Sequence, residues 1–193
     1  MSEVSVIRQL GSEFNLRLPS IQLALKSEAL SQADFQRVAD FGAGYGTSVR
    51  ALLSVSREAS ITALESNREY ADEIVKNGIL PECDVVVSDG IEHLSQSGSK
   101  YSLVTAFGLG PDKSGSLFLE LVEASIHALR DGGKLFVESD NYTMAAINDI
   151  IWKAGLTHLS ILSAGIGSWI VLSLNDCKEL IDLRQTAVVA ANQ

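Results

Sequence analysis

The chain has 193 residues, 46% of them hydrophobic, and carries 15 Lys and Arg against 24 Asp and Glu, a formal net charge of −9 at pH 7. This composition excludes a disordered chain and suits one domain with a substantial core. The acidic balance, with no Lys/Arg cluster, disfavours a nucleic-acid partner, and no apolar run reaches the ~18–20 residues that span a bilayer.

Residues 1–36 are expected to form a helical cap. Val4, Ile7 and Leu10 share one helix face ended by Gly11, and Ser20 is positioned to cap a second helix through Ile21, Leu23, Ala24 and Leu25. The opening Met-Ser-Glu-Val-Ser-Val lacks the basic-then-apolar layout of a signal peptide. Arg37 to Phe41 reads as a strand, broken by Gly42, Gly44 and Gly46 and followed by a helix through Val49, Leu52 and Leu53. Alternate glycines permit positive φ and leave no Cβ in the way of a ligand. The helix start presents unpaired N–H groups to whatever lies over the loop.

Ser60 to Glu65 reads as the second strand, with Glu65 at its carboxyl end, where an open α/β sheet faces its ligand crevice. Asn67 caps a helix through Tyr70, Ile74 and Val75 that Gly78 ends. Cys83 to Val87 is a β-branched strand running into Asp89-Gly90, and a continuous apolar run suits a sheet covered on both faces. His93, alone in the next helix, reads as a surface or packing residue rather than a base. Cys83 and Cys177 form no metal or redox spacing, which points to a reducing, cytoplasmic setting.

Tyr101 to Phe107 is the fourth strand, followed by the glycine-rich Gly108-Leu-Gly-Pro-Asp112 and a helix from about Ser114 to Leu129. Gly132-Gly133 makes a tight turn into a fifth strand ending at Glu138. Asp140, Asn141 and Tyr142 follow, and Asp140 or Asn141 is placed to cap a helix over Met144 to Ala154. Strands from Leu156 to Ser163 and Trp169 to Leu174 make a hairpin, and a last helix at 176–190 is capped by Asp176.

Asp40-x-Gly42-x-Gly44-x-Gly46 resembles motif I of the class I S-adenosylmethionine-dependent methyltransferases. The dinucleotide pattern G-x-G-x-x-G would need glycine where Thr47 stands. Leu129-Arg-Asp-Gly-Gly-Lys-Leu is similar to the same family's turn into strand five. The resemblance implies an α/β, Rossmann-like three-layer sandwich. Its mostly parallel seven-stranded sheet would have the order 3-2-1-4-5-7-6, with strand 7 antiparallel. It also implies a single domain over 1–193, with the core at 37–175 and a C-terminal helix at 176–193. Asp40 would lie under the cofactor's amino-acid end and Gly42, Gly44 and Gly46 against its methionine portion. Glu65 would accept from the ribose hydroxyls and Asp89 from the adenine amino group, with Gly90 letting the ring approach. Phe107 would border the cofactor, at the end of strand four where many relatives carry an acid.

The function implied is S-adenosyl-L-methionine-dependent methyl transfer, by in-line displacement, to a small-molecule nucleophile ahead of protein or RNA. Glu138 and Tyr142 are the acceptor-side candidates for catalysis. Asp140-Asn141 resembles the metal pair of catechol-type enzymes, but Phe107 stands where a third oxygen ligand belongs, so no metal is expected. Two rival readings are a nicotinamide-dependent oxidoreductase, disfavoured by Thr47 and the hairpin, and a non-catalytic scaffolding protein that binds the same cofactor. No membrane contact is expected, and Val188-Val189 on the last helix is placed to pack on the body of the domain or on another subunit of a homodimer.

Overall fold

Five short, nearly continuous apolar segments, each ending in polar or glycine residues, form five parallel strands at the centre of the chain. A computed structural model describes residues 18–19, 21–27, 29–76, 83–110, 114–164 and 167–191. The strands are β1 (Arg37–Phe41), β2 (Ser60–Glu65), β3 (Cys83–Val87), β4 (Tyr101–Phe107), β5 (Leu129–Ser139), β6 (Leu162–Ala164) and β7 (Gly167–Ser173). The helices are α1 (Thr47–Val55), α2 (Arg68–Lys76), α3 (Gly90–Gln96), α4 (Ser116–Ala128), α5 (Asn141–Lys153) and α6 (Leu174–Ala191).

The seven strands make one sheet of order β3-β2-β1-β4-β5-β7-β6. β1 to β5 run parallel, and β7 is antiparallel to both β5 and β6. β1 lies between β2 and β4, so the chain reverses its direction of travel across the sheet there. The crevice at such a switch point is the ligand site of an open α/β sheet.

Strand alternation divides the core in two. Val38, Ile61, Leu103 and Phe136 pack with Val49 and Leu52 of α1, Ile74 of α2, and Ile21, Ala24 and Leu25 of the N-terminal segment. On the opposite face Ala39, Val104, Leu135 and Val137 pack with Leu94, Phe118, Leu121, Ile147 and Leu180 of α3 to α6. The N-terminal segment is fastened to β5 by Lys134, whose Nζ donates to the Ala29 carbonyl at 2.7 Å and to Asp34 at 3.1 Å. Ser102 stitches β4 to β1, its Oγ accepting from the Arg37 N–H at 2.8 Å and donating to the Arg37 carbonyl at 2.9 Å.

Three expectations are corrected. Gly132-Gly133 lies inside β5 rather than before it, at an irregularity where the β4–β5 register shifts between Tyr101 and Leu103. β6 holds only Leu162–Ala164, because Leu156 and Leu159 are in turns, where the Leu159 N–H donates to the Leu156 carbonyl at 3.1 Å. α6 begins at Leu174, and Asp176 sits in its first turn. The Asp176 carboxylate accepts from the Ser173 N–H at 2.7 Å, while the Ser173 Oγ accepts from the Asp176 N–H at 3.2 Å, a reciprocal cap. The helix expected over Val4 to Leu10, with Gly11, lies outside the described residues, as do Ser20, Gly78 and Pro111-Asp112.

Candidate functional site

The loop after β1 is shaped by three glycines with φ of 67°, 54° and 82° at Gly42, Gly44 and Gly46, a region that side chains with a Cβ rarely adopt. The Gly42 and Ala43 N–H groups both donate to the Leu64 carbonyl, at 2.9 and 3.1 Å, which bends the loop toward β2. A Cβ built on Gly42 meets nothing within 4 Å, and one on Gly44 reaches only the Gly42 carbonyl oxygen, at 4.0 Å. Gly42 and Gly44 therefore face open space among the described residues. Gly46 stands at the N-cap of α1 and supplies no side-chain acceptor, so the first-turn N–H groups of α1 are left for solvent or a ligand.

Glu65 borders this space from the end of β2 and is 7% exposed. Its Oε2 accepts from the Gly44 N–H and its Oε1 from the Asn67 N–H, both at 2.8 Å. Each carboxylate oxygen keeps a second acceptor site. Asn67 in turn accepts from the Glu69 N–H at 2.9 Å, the cap expected for α2.

Asp40 acts from below. It has no exposed surface, and its carboxylate accepts from the Ser48 hydroxyl at 2.5 Å and the Thr105 hydroxyl at 2.8 Å. Burial pushes its pKa up to about 6 against the pull of those two bonds, and the charge of Glu65 adds to the rise. The acid thus ties β1 to β4 and to the first turn of α1, and supports the loop from beneath.

At the end of β3, Asp89 caps α3. Its Oδ1 accepts from Ile91 and Glu92 N–H groups at 2.8 and 3.1 Å, and the side chain is exposed. Helix capping and a second role are compatible, since Oδ2 faces no described donor. The reason for glycine at position 90 differs from the expectation. A Cβ there would stand 2.6 and 2.7 Å from two Phe41 ring carbons, so the neighbour that requires glycine is the end of β1.

At the ends of β4 and β5 an aromatic ring and an acid stand side by side on one face. Phe107 is buried, and its ring centroid lies 5.3 Å from that of Phe136. Glu138, opposite Phe107 in the β4–β5 register, is 2% exposed. Its Oε2 accepts from the Gly108 N–H at 3.0 Å, and its carbonyl accepts from the same N–H at 2.9 Å. Ser139 and Thr143 donate to the Leu109 and Gly110 carbonyls at 2.5 and 3.2 Å, so the loop after β4 is knitted to the end of β5.

Tyr142 follows Asn141 at the start of α5. It is 67% exposed on the first turn of α5, beside Asn141, Ala145 and Ala146. Asp140 caps α5, accepting from Tyr142 and Thr143 N–H groups at 2.7 and 2.9 Å, and Asn141 accepts from Ser168 at 3.0 Å. Among the described residues no three His, Cys, Asp or Glu side chains gather as a metal site.

Several participants were not foreseen. Ser48 and Thr105 hold Asp40, and Tyr45, at the tip of the glycine loop, packs on Tyr70 with centroids 4.4 Å apart. Burial, the Tyr70 bond and the nearby Glu69 and Glu73 charges push the Tyr45 phenol up to about 12. An aromatic residue between two loop glycines was the one available signal.

The family model of the methyltransferase small domain matches residues 23–149. No curated protein matches the sequence. Among solved structures, the chain is similar to an S-adenosylmethionine-dependent O-methyltransferase from Thermotoga maritima, at 14% identity and a TM-score of 0.56, over 72% of this chain and 59% of that one. It is similar to a precorrin-6y C5,15-methyltransferase from Geobacter metallireducens, at 16% identity and a TM-score of 0.57, over 81% and 86% of the two chains. It is also similar to PigF with S-adenosylhomocysteine, at 14% identity and a TM-score of 0.58, over 90% and 62%. The chain therefore spans less than two thirds of the Thermotoga protein and of PigF, and at these identities the likeness is one of fold.

Proposed function

The chain belongs to the methyltransferase small domain family, and on that premise we propose that it methylates a small-molecule nucleophile. Its cofactor is S-adenosyl-L-methionine. The observation that carries this reading is the Cβ-free space over Gly42 and Gly44, bounded by the Glu65 carboxylate. Bound there, the cofactor supplies a methyl group on a sulfonium, open to in-line displacement.

The chain's own residues divide the work. The loop backbone and the first turn of α1 would take the amino-acid end, with Asp40 holding that loop in place from below. Glu65 would accept from the ribose hydroxyls and Asp89 from the adenine amino group. A carboxylate suits these positions because hydroxyl and amino donors need acceptors. The neighbouring negative charges of Asp40 and Glu65 also favour a cationic sulfonium over a pyrophosphate. Glu138 is the acid on the same sheet face beyond β4, held by the Gly108 N–H, and it would take the proton of the acceptor's O–H or N–H. Positioning of acceptor and methyl supplies much of the acceleration in such a site.

A small acceptor is favoured over RNA by the net charge of −9. Methyl-labelled cofactor incubated with the protein and a cell extract, then separated into small-molecule, protein and RNA fractions, tests this. Label in the small-molecule fraction is expected, and label confined to protein or RNA overturns the acceptor class. Cofactor binding without label in any fraction would favour a non-catalytic binding protein.

A further inference from the structure

Trp169 is 5% exposed, and its indole Nε1 is buried with no hydrogen-bond partner among the described residues. A buried donor left unpaired costs about 1–3 kcal/mol, and such groups call for an explanation. Among the described residues three serine hydroxyls share this condition, at Ser27, Ser88 and Ser125. Those hydroxyls are short and rotatable, and a helical serine such as Ser125 can turn its hydroxyl to a backbone carbonyl of its own helix. An indole N–H is fixed by its ring and has no such alternative.

Its position in the sheet is informative. Trp169 pairs with Glu138 in the antiparallel β5–β7 register, so the two side chains stand on the same face. Alternation agrees, because Ile170 and Leu172 join the opposite apolar cluster while Trp169 joins that of Phe107 and Phe136. Ser168, on the other side, is bonded to Asn141 and Ser163. The indole thus belongs to the carboxyl end of β4 and β5, beside the acid at the end of β5. The same apolar cluster contains Ile21, Ala24 and Leu25 of the N-terminal segment.

We propose that the Trp169 Nε1–H orients the methyl acceptor. The acceptor is then a neutral, largely apolar molecule that offers an oxygen or aromatic nitrogen to the indole and an O–H or N–H to Glu138. This inference rests on the methyltransferase reading. Phe107 and Phe136 supply apolar walls. Glu138, with Glu65 and Asp40 on the same face, repels an anionic head group. In the transfer the acceptor's O–H or N–H proton goes to Glu138, its lone pair forms the bond to the methyl carbon, and the carbon–sulfur bond breaks with its electrons left on sulfur.

The test uses the full chain with S-adenosylhomocysteine and three probes: benzamide, benzoate and toluene. Benzamide should bind in a saturable manner and shift the Trp169 indole N–H resonance, which is assigned by its persistence in Trp152→Phe. Benzoate should bind more weakly. Trp169→Phe keeps a ring of similar shape, so it should retain S-adenosylhomocysteine binding and the toluene response while benzamide binding weakens about tenfold. Trp169→His, which restores a ring N–H, should recover part of the loss. Equal benzamide affinity in wild type and Trp169→Phe, or an indole resonance unmoved by benzamide, would overturn the proposal. Should Trp169→Phe fail to fold, the wild-type resonance decides. Absence of S-adenosylhomocysteine binding in the wild type would instead strike the underlying methyltransferase reading.

Discussion

A carboxylate without exposed surface, held by two hydroxyls and facing a second acid, makes Asp40 a sensitive residue of the cofactor loop. Its folded pKa of about 6 lies above the ordinary 3.8. Between these values the folded chain holds a proton that the unfolded chain has released. Stability from this group is therefore greatest below about pH 4, falls as pH rises to about 6, and is flat beyond, by on the order of 3 kcal/mol in all. Asp40→Asn removes that dependence. The difference in urea midpoint between variant and wild type should grow in the variant's favour from pH 4 to pH 6. Parallel curves would refute the assigned ionisation. At Asp89 a second separation is available. Asp89→Asn keeps the oxygen that caps α3, so it should melt as the wild type does while binding S-adenosylhomocysteine less tightly. Asp89→Ala should lose both, with about 1 kcal/mol of stability gone with the cap. Unchanged ligand affinity in both variants would remove Asp89 from the site.

Elements here are joined by a few close contacts, and two make useful tests. Gly90 opens α3 against the half-buried ring of Phe41 at the end of β1. Gly90→Ala should cost about 1–3 kcal/mol by overpacking, and Phe41→Leu in the same chain should recover part of it. A variant as stable as the wild type would show that the ring yields freely. The start of α6 is fixed by Ser173 and Asp176, with His158 2.8 Å from the same carboxylate. Burial raises the Asp176 pKa, but the Ser173 and His158 bonds outweigh it and hold the group below the usual carboxylate value. Such a group contributes stability above the unfolded pKa and loses it as pH falls through the lower folded one. Asp176→Ala should cost about 1 kcal/mol at neutral pH, with the cost vanishing in strongly acid solution. A cost unchanged at pH 3 would contradict it. β1, β2 and β4 were legible to the residue because each is a short apolar run with a turn at both ends. β6 was not, because Leu156, Leu159 and Ile161 look like a strand but anchor a loop one by one. The reciprocal cap at Ser173 was missed because Asp176 alone resembles an N-cap.

For the whole molecule, the half of the site proposed to bind cofactor left marks in the sequence and the half proposed to bind acceptor did not, for physical reasons. Glycines forced to positive φ, and acids at strand ends, leave marks at fixed spacing. Contacts between strands far apart in sequence leave none. Thr105 under Asp40, Gly108 on Glu138, and Trp169 across from Glu138 depend on register, which only the folded sheet supplies. The sheet order and the family match make the β1 loop the centre of the account. Calorimetric titration of S-adenosylhomocysteine into the wild type and Glu65→Ala tests that centre most directly. One-site binding by the wild type, sharply weakened in a folded Glu65→Ala, is the predicted result. No binding by the wild type, or equal affinity in both proteins, would contradict it.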